Sequence, residues 1–98
     1  MSQYDVHRLR SGELMMDCQS NFLSALQTRL VIPLVDPDTV PGPLPRLHPL
    51  FEVEGDRMLL ATHLAAAIPN GELGYPIASL APYDLTIGNA IDFLVSGF

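Results

Sequence analysis

The chain has 98 residues, 48% of them apolar, which predicts one small domain with a core of its own. Five arginines, no lysine and eleven carboxylates give a net charge of -6, which argues against a general phosphate-binding surface for nucleic acid and against docking on an anionic membrane. No apolar run reaches the roughly 20 residues of a membrane span, the start MSQYDVHRLR lacks a signal-peptide core, and the lone Cys18 excludes an internal disulfide, so a cytoplasmic protein is expected.

The first elements read as strands. Tyr4 to Leu9 alternates weakly, with Tyr4, Val6 and His7 as inward candidates. Ser11-Gly12 is a turn signal, and Glu13 to Gln19 completes a hairpin. Met15 and Met16 must then face opposite ways. Ser20 to Gln27 is mixed: Phe22, Leu23 and Leu26 suit a helical turn or a packed loop. Thr28 to Val35, TRLVIPLV, is the strongest strand, and its apolar run predicts burial on both faces. Pro33 inside it predicts an edge position, a bulge or a kink, because proline cannot donate to a ladder.

Asp36 to Pro45 carries four prolines and a glycine and reads as a stiff loop. Pro49 to Val53 and Arg57 to Thr62 flank the turn Glu54-Gly55-Asp56 as a second hairpin. His63 to Ile68, HLAAAI, has helical propensity and stops at Pro69. Asn70-Gly71 is a turn signal, and Tyr75 to Leu80 suits one more short strand. Pro82 to Phe98 has a clean helical period: Ile87, Ala90, Ile91, Leu94, Val95 and Phe98 form one apolar stripe. Asn89, Asp92 and Ser96 lie opposite. Asp84 suits the amino end of the dipole, and Gly97 suits the left-handed position past the end. The terminal Phe98 has no polar tail, so it is expected to be packed or offered to a partner. Five or six largely antiparallel strands plus one C-terminal helix make a small α+β, barrel-like domain over residues 1–98.

Catalytic signals are weak. His7, His48 and His63 stand apart without metal-ligand spacing. Cys18 beside Asp17 reads as packing before nucleophile. The acidic pairs Asp36 with Asp38, and Glu52 with Glu54 and Asp56, lie on turns where carboxylates are solvated. There is no phosphate-binding GxxxxGK[ST] loop and no GxSxG elbow. From the residues alone, the chain is a β-rich domain that works by binding.

Three blocks then carry a resemblance. They are Asp17 to Leu34, DCQSNFLSALQTRLVIPL; Leu47 to Pro69, LHPLFEVEGDRMLLATHLAAAIP; and Ile77 to Phe98, ending in NAI-x-x-L-x-x-GF. In order, spacing and coverage the chain resembles the CcdB family of toxins from bacterial type II toxin–antitoxin modules. The resemblance implies a curled, largely antiparallel sheet (a CcdB/MazF-like barrel) with a minor sheet, one C-terminal helix, and a homodimer. It implies a non-catalytic poison that binds the A subunit of DNA gyrase and traps the cleaved-DNA complex. It also implies a CcdA-like antitoxin with a disordered C-terminal segment, autoregulation of transcription with that antitoxin, and plasmid maintenance. It implies no cofactor and no metal, and contact with DNA only through the antitoxin or gyrase complex.

The family's gyrase-contact positions match Gln3, Tyr4, Ser20, Phe22 and Leu23 near the start, and Asp92, Val95, Ser96, Gly97 and Phe98 on the last helix. Three of these depart from the family pattern. Ser96 replaces a stacking tryptophan, Asp92 stands where asparagine is usual, and Val95 where an aromatic is usual. The first hairpin is also shorter, which affects the antitoxin contacts near it. Three readings follow: a gyrase poison; a CcdB-fold interaction protein that has lost or changed that target and is still neutralised by an antitoxin; and an endoribonuclease like fold relatives of the MazF and Kid type.

Overall fold

The computed structural model describes residues 2–97. Seven strands and one helix follow in order: β1 Asp5–Arg8, β2 Leu14–Asp17, β3 Thr28–Val35, β4 Leu50–Val53, β5 Asp56–Leu60, β6 Ala66–Pro69, β7 Pro76–Ser79 and α1 Asp84–Ser96. All seven strands join one sheet of order β4-β5-β3-β2-β1-β7, with β6 pairing β3 off that path, and every pairing is antiparallel. The minor part of the sheet, β6, joins the main one through β3. Phe51 and Val53 of β4 share one core with Val6 of β1 and Leu80 beyond β7. Strands from opposite ends of the order meet there because the sheet curls into a half-barrel, and Ile87 of α1 closes it.

Strand β3 is the centre of the sheet, and Pro33 sits inside it. The Cys18 N–H donates to the Leu30 carbonyl at 2.9 Å. That makes 18 with 30 a hydrogen-bonded pair, and alternation makes 15 with 33 a non-bonded one. The nitrogen of Pro33 therefore faces the other flank. On that flank β6 covers residues 28 to 31 and β5 covers only 34 and 35. Pro33 falls in the gap between them, where its carbonyl accepts from the Ala61 N–H at 2.8 Å. The expected edge, bulge or kink is thus replaced by a change of partner in a central strand, and no ladder donor is lost. Burial on both faces holds for Val31, Ile32 and Leu34, whereas Thr28 and Leu30 are exposed.

Other expectations are corrected. The HLAAAI stretch is not a helix: a 3-10 turn over Thr62–Leu64 leads into β6. Six residues cannot repay helix nucleation, while the open flank of β3 offers four backbone pairs. Phe22 and Leu23 lie in a 3-10 turn over Asn21–Leu23 and Leu26 in the bend beyond it, but none of the three is packed; Phe22 is 98% exposed. The β4–β5 turn is only Glu54-Gly55, both at positive φ of 51° and 83°, the mirror-image turn that matches strand twist. Asp56 already pairs with Val53.

Helix α1 begins later than Pro82, after a 3-10 turn over Ala81–Tyr83. Its stripe is buried only in part. Ile87 and Ala90 are fully buried and Ile91 is half-buried, but Leu94 is 42% and Val95 77% exposed. Leu94 is thus less a packing residue than its place in the stripe predicts. Gly97 takes φ of +75°, and its N–H caps the Phe93 carbonyl at 2.9 Å, as a left-handed C-terminal residue should.

Candidate functional site

The residues singled out near the start form one surface. The Gln3 N–H donates to Asn21 Oδ1 at 2.9 Å, and its side-chain amide donates to the Cys18 carbonyl at 3.1 Å. These bonds bind the N-terminal segment to the 3-10 turn. Ser20 caps that turn, its Oγ accepting from the Phe22 N–H at 3.2 Å. The turn is held from both sides while its apolar side chains, Phe22 and Leu23, point outward. Tyr4 is half-buried at φ of +72°, and its carbonyl accepts from the Leu80 N–H. Burial raises the Tyr4 hydroxyl above its ordinary pKa, with the Asp84 charge adding to the effect.

The bond from Leu80 to the Tyr4 carbonyl ties Tyr4 to the segment that leads into the start of α1. Asp92, Val95, Ser96 and Gly97 lie at the other end of a 13-residue helix, about 20 Å long at 1.5 Å per residue. The singled-out residues therefore make two surfaces on one chain rather than one. Phe98 lies outside the described residues. At the second surface Asp92, Val95, Ser96 and Gly97 are all exposed. Beside them Arg46, just past the proline loop, stacks over Phe93, its guanidinium carbon 4.8 Å from the ring centroid. Sequence reasoning missed this contact, since Phe93 lies off the predicted stripe.

Two polar arrangements were also missed. Arg29 and Asp17 form a buried pair, Nη2 to Oδ2 2.7 Å, and Asp17 Oδ1 accepts from the Gln19 N–H at 3.0 Å. Strand alternation carried the signal: Arg29 shares a face with Val31, which pairs with Asp17. Cys18 next to it is buried, its thiol donating to the Leu30 carbonyl at 3.3 Å. Burial, reinforced by Asp17, pushes that thiol up to about 11, so it is a thiol and not a thiolate nucleophile at neutral pH.

His48 and His63, apart in sequence, meet with Nε2 and Nδ1 2.9 Å apart and rings nearly perpendicular. The Leu44 N–H donates to His48 Nδ1 at 3.0 Å. His48 must therefore carry its proton on Nε2 and give it to His63 Nδ1. His48 is neutral in this chain of bonds. The same tautomer leaves neither facing nitrogen of His48 free to ligate a metal. No group of three or more potential ligands is assembled among the described residues, and no described helix is long and apolar enough to cross a membrane.

The family model described as CcdB protein matches residues 3–97. No curated protein sequence matches the chain. Among solved structures it is similar to an endoribonuclease from a mycobacterial species, with TM-score 0.77 and 12% identity over 97% of this chain and 90% of that one. It is also similar to an endoribonuclease from a mycobacterial species solved in complex with its cognate antitoxin, with TM-score 0.75 and 12% identity over 97% and 94%. At that identity the likeness is one of fold.

Proposed function

The chain belongs to the CcdB protein family, and from that membership we propose that it is the toxin of a toxin–antitoxin pair, binding the A subunit of DNA gyrase and trapping its cleaved-DNA complex without catalysing a reaction. The observation that supports this reading is the state of the helix end. The family match includes it, and there the apolar stripe leaves Leu94 and Val95 uncovered, as a surface that works by contact requires. Asp92, Val95, Ser96, Gly97 and Phe98 are the proposed gyrase-binding end. Gln3, Tyr4, Ser20, Phe22 and Leu23 are the proposed accessory contacts. One chain carries these surfaces at opposite ends of α1, and a homodimer would present two copies of each. The uncharged edge strand β6, with exposed Leu64 beside it, suits such self-association because it carries no edge-guarding charge.

A CcdA-like antitoxin is the proposed regulatory partner, and the similar mycobacterial endoribonuclease is one solved with its cognate antitoxin. The test is direct. Purified protein, gyrase from the same host and supercoiled plasmid should yield linear DNA. No linear product at high protein excess would sink gyrase poisoning.

The absence of tryptophan at Ser96 favours a second reading, a CcdB-fold interaction protein with an altered target, still neutralised by an antitoxin. It predicts antitoxin binding without DNA cleavage. An endoribonuclease is favoured only by the fold likeness. That chemistry needs cations at the scissile phosphate, whereas Arg29 is buried against Asp17, Arg8 pairs with Glu54 and Arg46 covers Phe93, which leaves only Arg10 and Arg57, exposed on different hairpins. Cleavage of RNA by the pure protein would reverse this preference.

A further inference from the structure

Arg46 sits in the middle of a turn that holds it still. The His48 N–H donates to the Leu44 carbonyl at 2.7 Å, and the Leu44 N–H donates to His48 Nδ1 at 3.0 Å. These two reciprocal bonds close residues 44 to 48 on themselves. Pro43 and Pro45 stiffen the approach, and Pro49 stiffens the exit. His48 Nε2 fastens the turn to His63, and the 62–64 turn packs on α1. The guanidinium is thereby laid over the Phe93 ring. Phe93 is half-buried and Arg46 is exposed, so the ring supports the cation from beneath while the cation faces outward. Neither of the two ion pairs formed among the described residues involves Arg46.

We propose that Arg46, held flat on Phe93, is the anchor of the target-binding end of α1, and that it takes a carboxylate of the target protein, the A subunit of gyrase in the reading above. The proposal rests on the helix end being the binding surface. Phe93 and Ser96 are three residues apart on α1, a spacing that makes them surface neighbours with Cβ atoms about 5–6 Å apart. The flat π surface that tryptophan would give at 96 is therefore supplied almost one turn earlier, with a guanidinium stacked on it. A guanidinium has five N–H donors in its plane and no acceptor. Stacking fixes that plane without using the donors. The partner chemistry that matches is a carboxylate, which accepts two parallel bonds from the fork. One isolated guanidinium suffices for that, whereas phosphate cleavage gathers several charges at one point. Position matters as much as charge: a mobile arginine gives up rotamer freedom on binding, and Arg46 has already given it up. Leu94 and Val95, exposed beside Phe93, supply the water-excluding surround that such an anchor needs.

The test measures binding of the intact protein to the A subunit of gyrase from the same host by biolayer interferometry. Arg46→Met keeps an apolar cover over the ring and removes the charge and the fork. It should bind about tenfold or more weakly, mainly through faster dissociation, with the urea midpoint of the parent. Arg46→Lys keeps the charge without the fork and should recover only part of the loss. Phe93→Leu removes the support and should also weaken binding. Arg57→Met removes the same charge from an exposed position on β5 and should bind as the parent does. Parent affinity in Arg46→Met or in Arg46→Lys would overturn the anchor, and so would equal losses in Arg46→Met and Arg57→Met. Growth arrest of the host, scored for the same variants, separates this proposal from the gyrase reading. A parent that arrests growth without DNA cleavage, with arrest lost in Arg46→Met, would sink gyrase and keep the anchor on another target. DNA cleavage by Arg46→Met equal to the parent's would sink the anchor and keep gyrase. A parent that does neither would overturn both.

Discussion

Arg29 holds Asp17 through a single oxygen, with Nη2 2.7 Å and Nε 2.9 Å from Oδ2, and neither side chain is more than 1% exposed. The pair lies where β2 meets β3, and Asp17 also anchors the Gln19 N–H. A buried pair of this kind contributes little over an apolar filling, but breaking it strands a charge. Asp17→Leu is expected to cost about 3–5 kcal/mol in urea denaturation. The double variant Asp17→Leu, Arg29→Met should recover most of that loss. A double variant as unstable as the single would show that the pair is itself a net source of stability.

The His48–His63 bond sets a pH dependence. Burial first, and then the neighbouring His63, lower the pKa of His48 from its ordinary 6.5. A group with a depressed histidine pKa gives up stability as it is forced to bind a proton. The contribution is therefore complete above about pH 6.5 and falls away as pH drops through the lower folded value. Proton titration followed by NMR should show the His48 ring changing below pH 6.5. His63→Asn should move that midpoint upward yet leave it under the ordinary value, because burial remains. A His48 midpoint above 6.5 in the parent would contradict the arrangement.

The thiol of Cys18 should be inert. With a pKa pushed up to about 11, it should resist iodoacetamide at pH 8 in the folded protein and react on unfolding in urea. Mass spectrometry of both samples decides this. Rapid labelling of the native state would show that the thiol is reached or ionised far more easily.

Gly97 is a backbone requirement. A Cβ there meets nothing within 4 Å, yet φ is +75°. Gly97→Ala should cost about 1 kcal/mol through the left-handed conformation alone, read as a lower urea midpoint with an unchanged slope. The same cost at Gly88, a helical position with φ in the ordinary range, would point to packing instead.

At the helix end, Ser96→Trp should raise affinity for the A subunit of gyrase by tenfold or more, as a stacking anchor at an interface centre does. Titration calorimetry with the isolated gyrase fragment measures it. Unchanged affinity would move attention to Asp92 and Val95.

Much of the fold was legible because short-range signals and the final structure agree. Strand β3 follows from its continuous apolar run, the turns at Ser11-Gly12 and Glu54-Gly55 follow from turn chemistry, and α1 follows from its period. The failures have one cause. HLAAAI prefers helix locally, and the open flank of β3 overrides that preference. His48 meets His63 because the segment after the proline loop comes up against the 62–64 turn, a contact no spacing rule encodes. Of the candidate surface, exposure of Phe22 could not be read, since an aromatic in a mixed segment is normally packed. The residues themselves came from family likeness, and their division between opposite ends of α1 came from three dimensions.

The hand-over at Pro33 also constrains how the chain must fold. The β1–β2–β3 meander can form from neighbouring sequence, but the outer flank of β3 waits for two segments that arrive about thirty residues later. Because β5 and β6 dock on either side of one proline, neither half can be excised as an independent unit. A nascent chain released after β3 would leave its longest apolar strand with one edge bare, an aggregation hazard that ends only when both late strands have arrived.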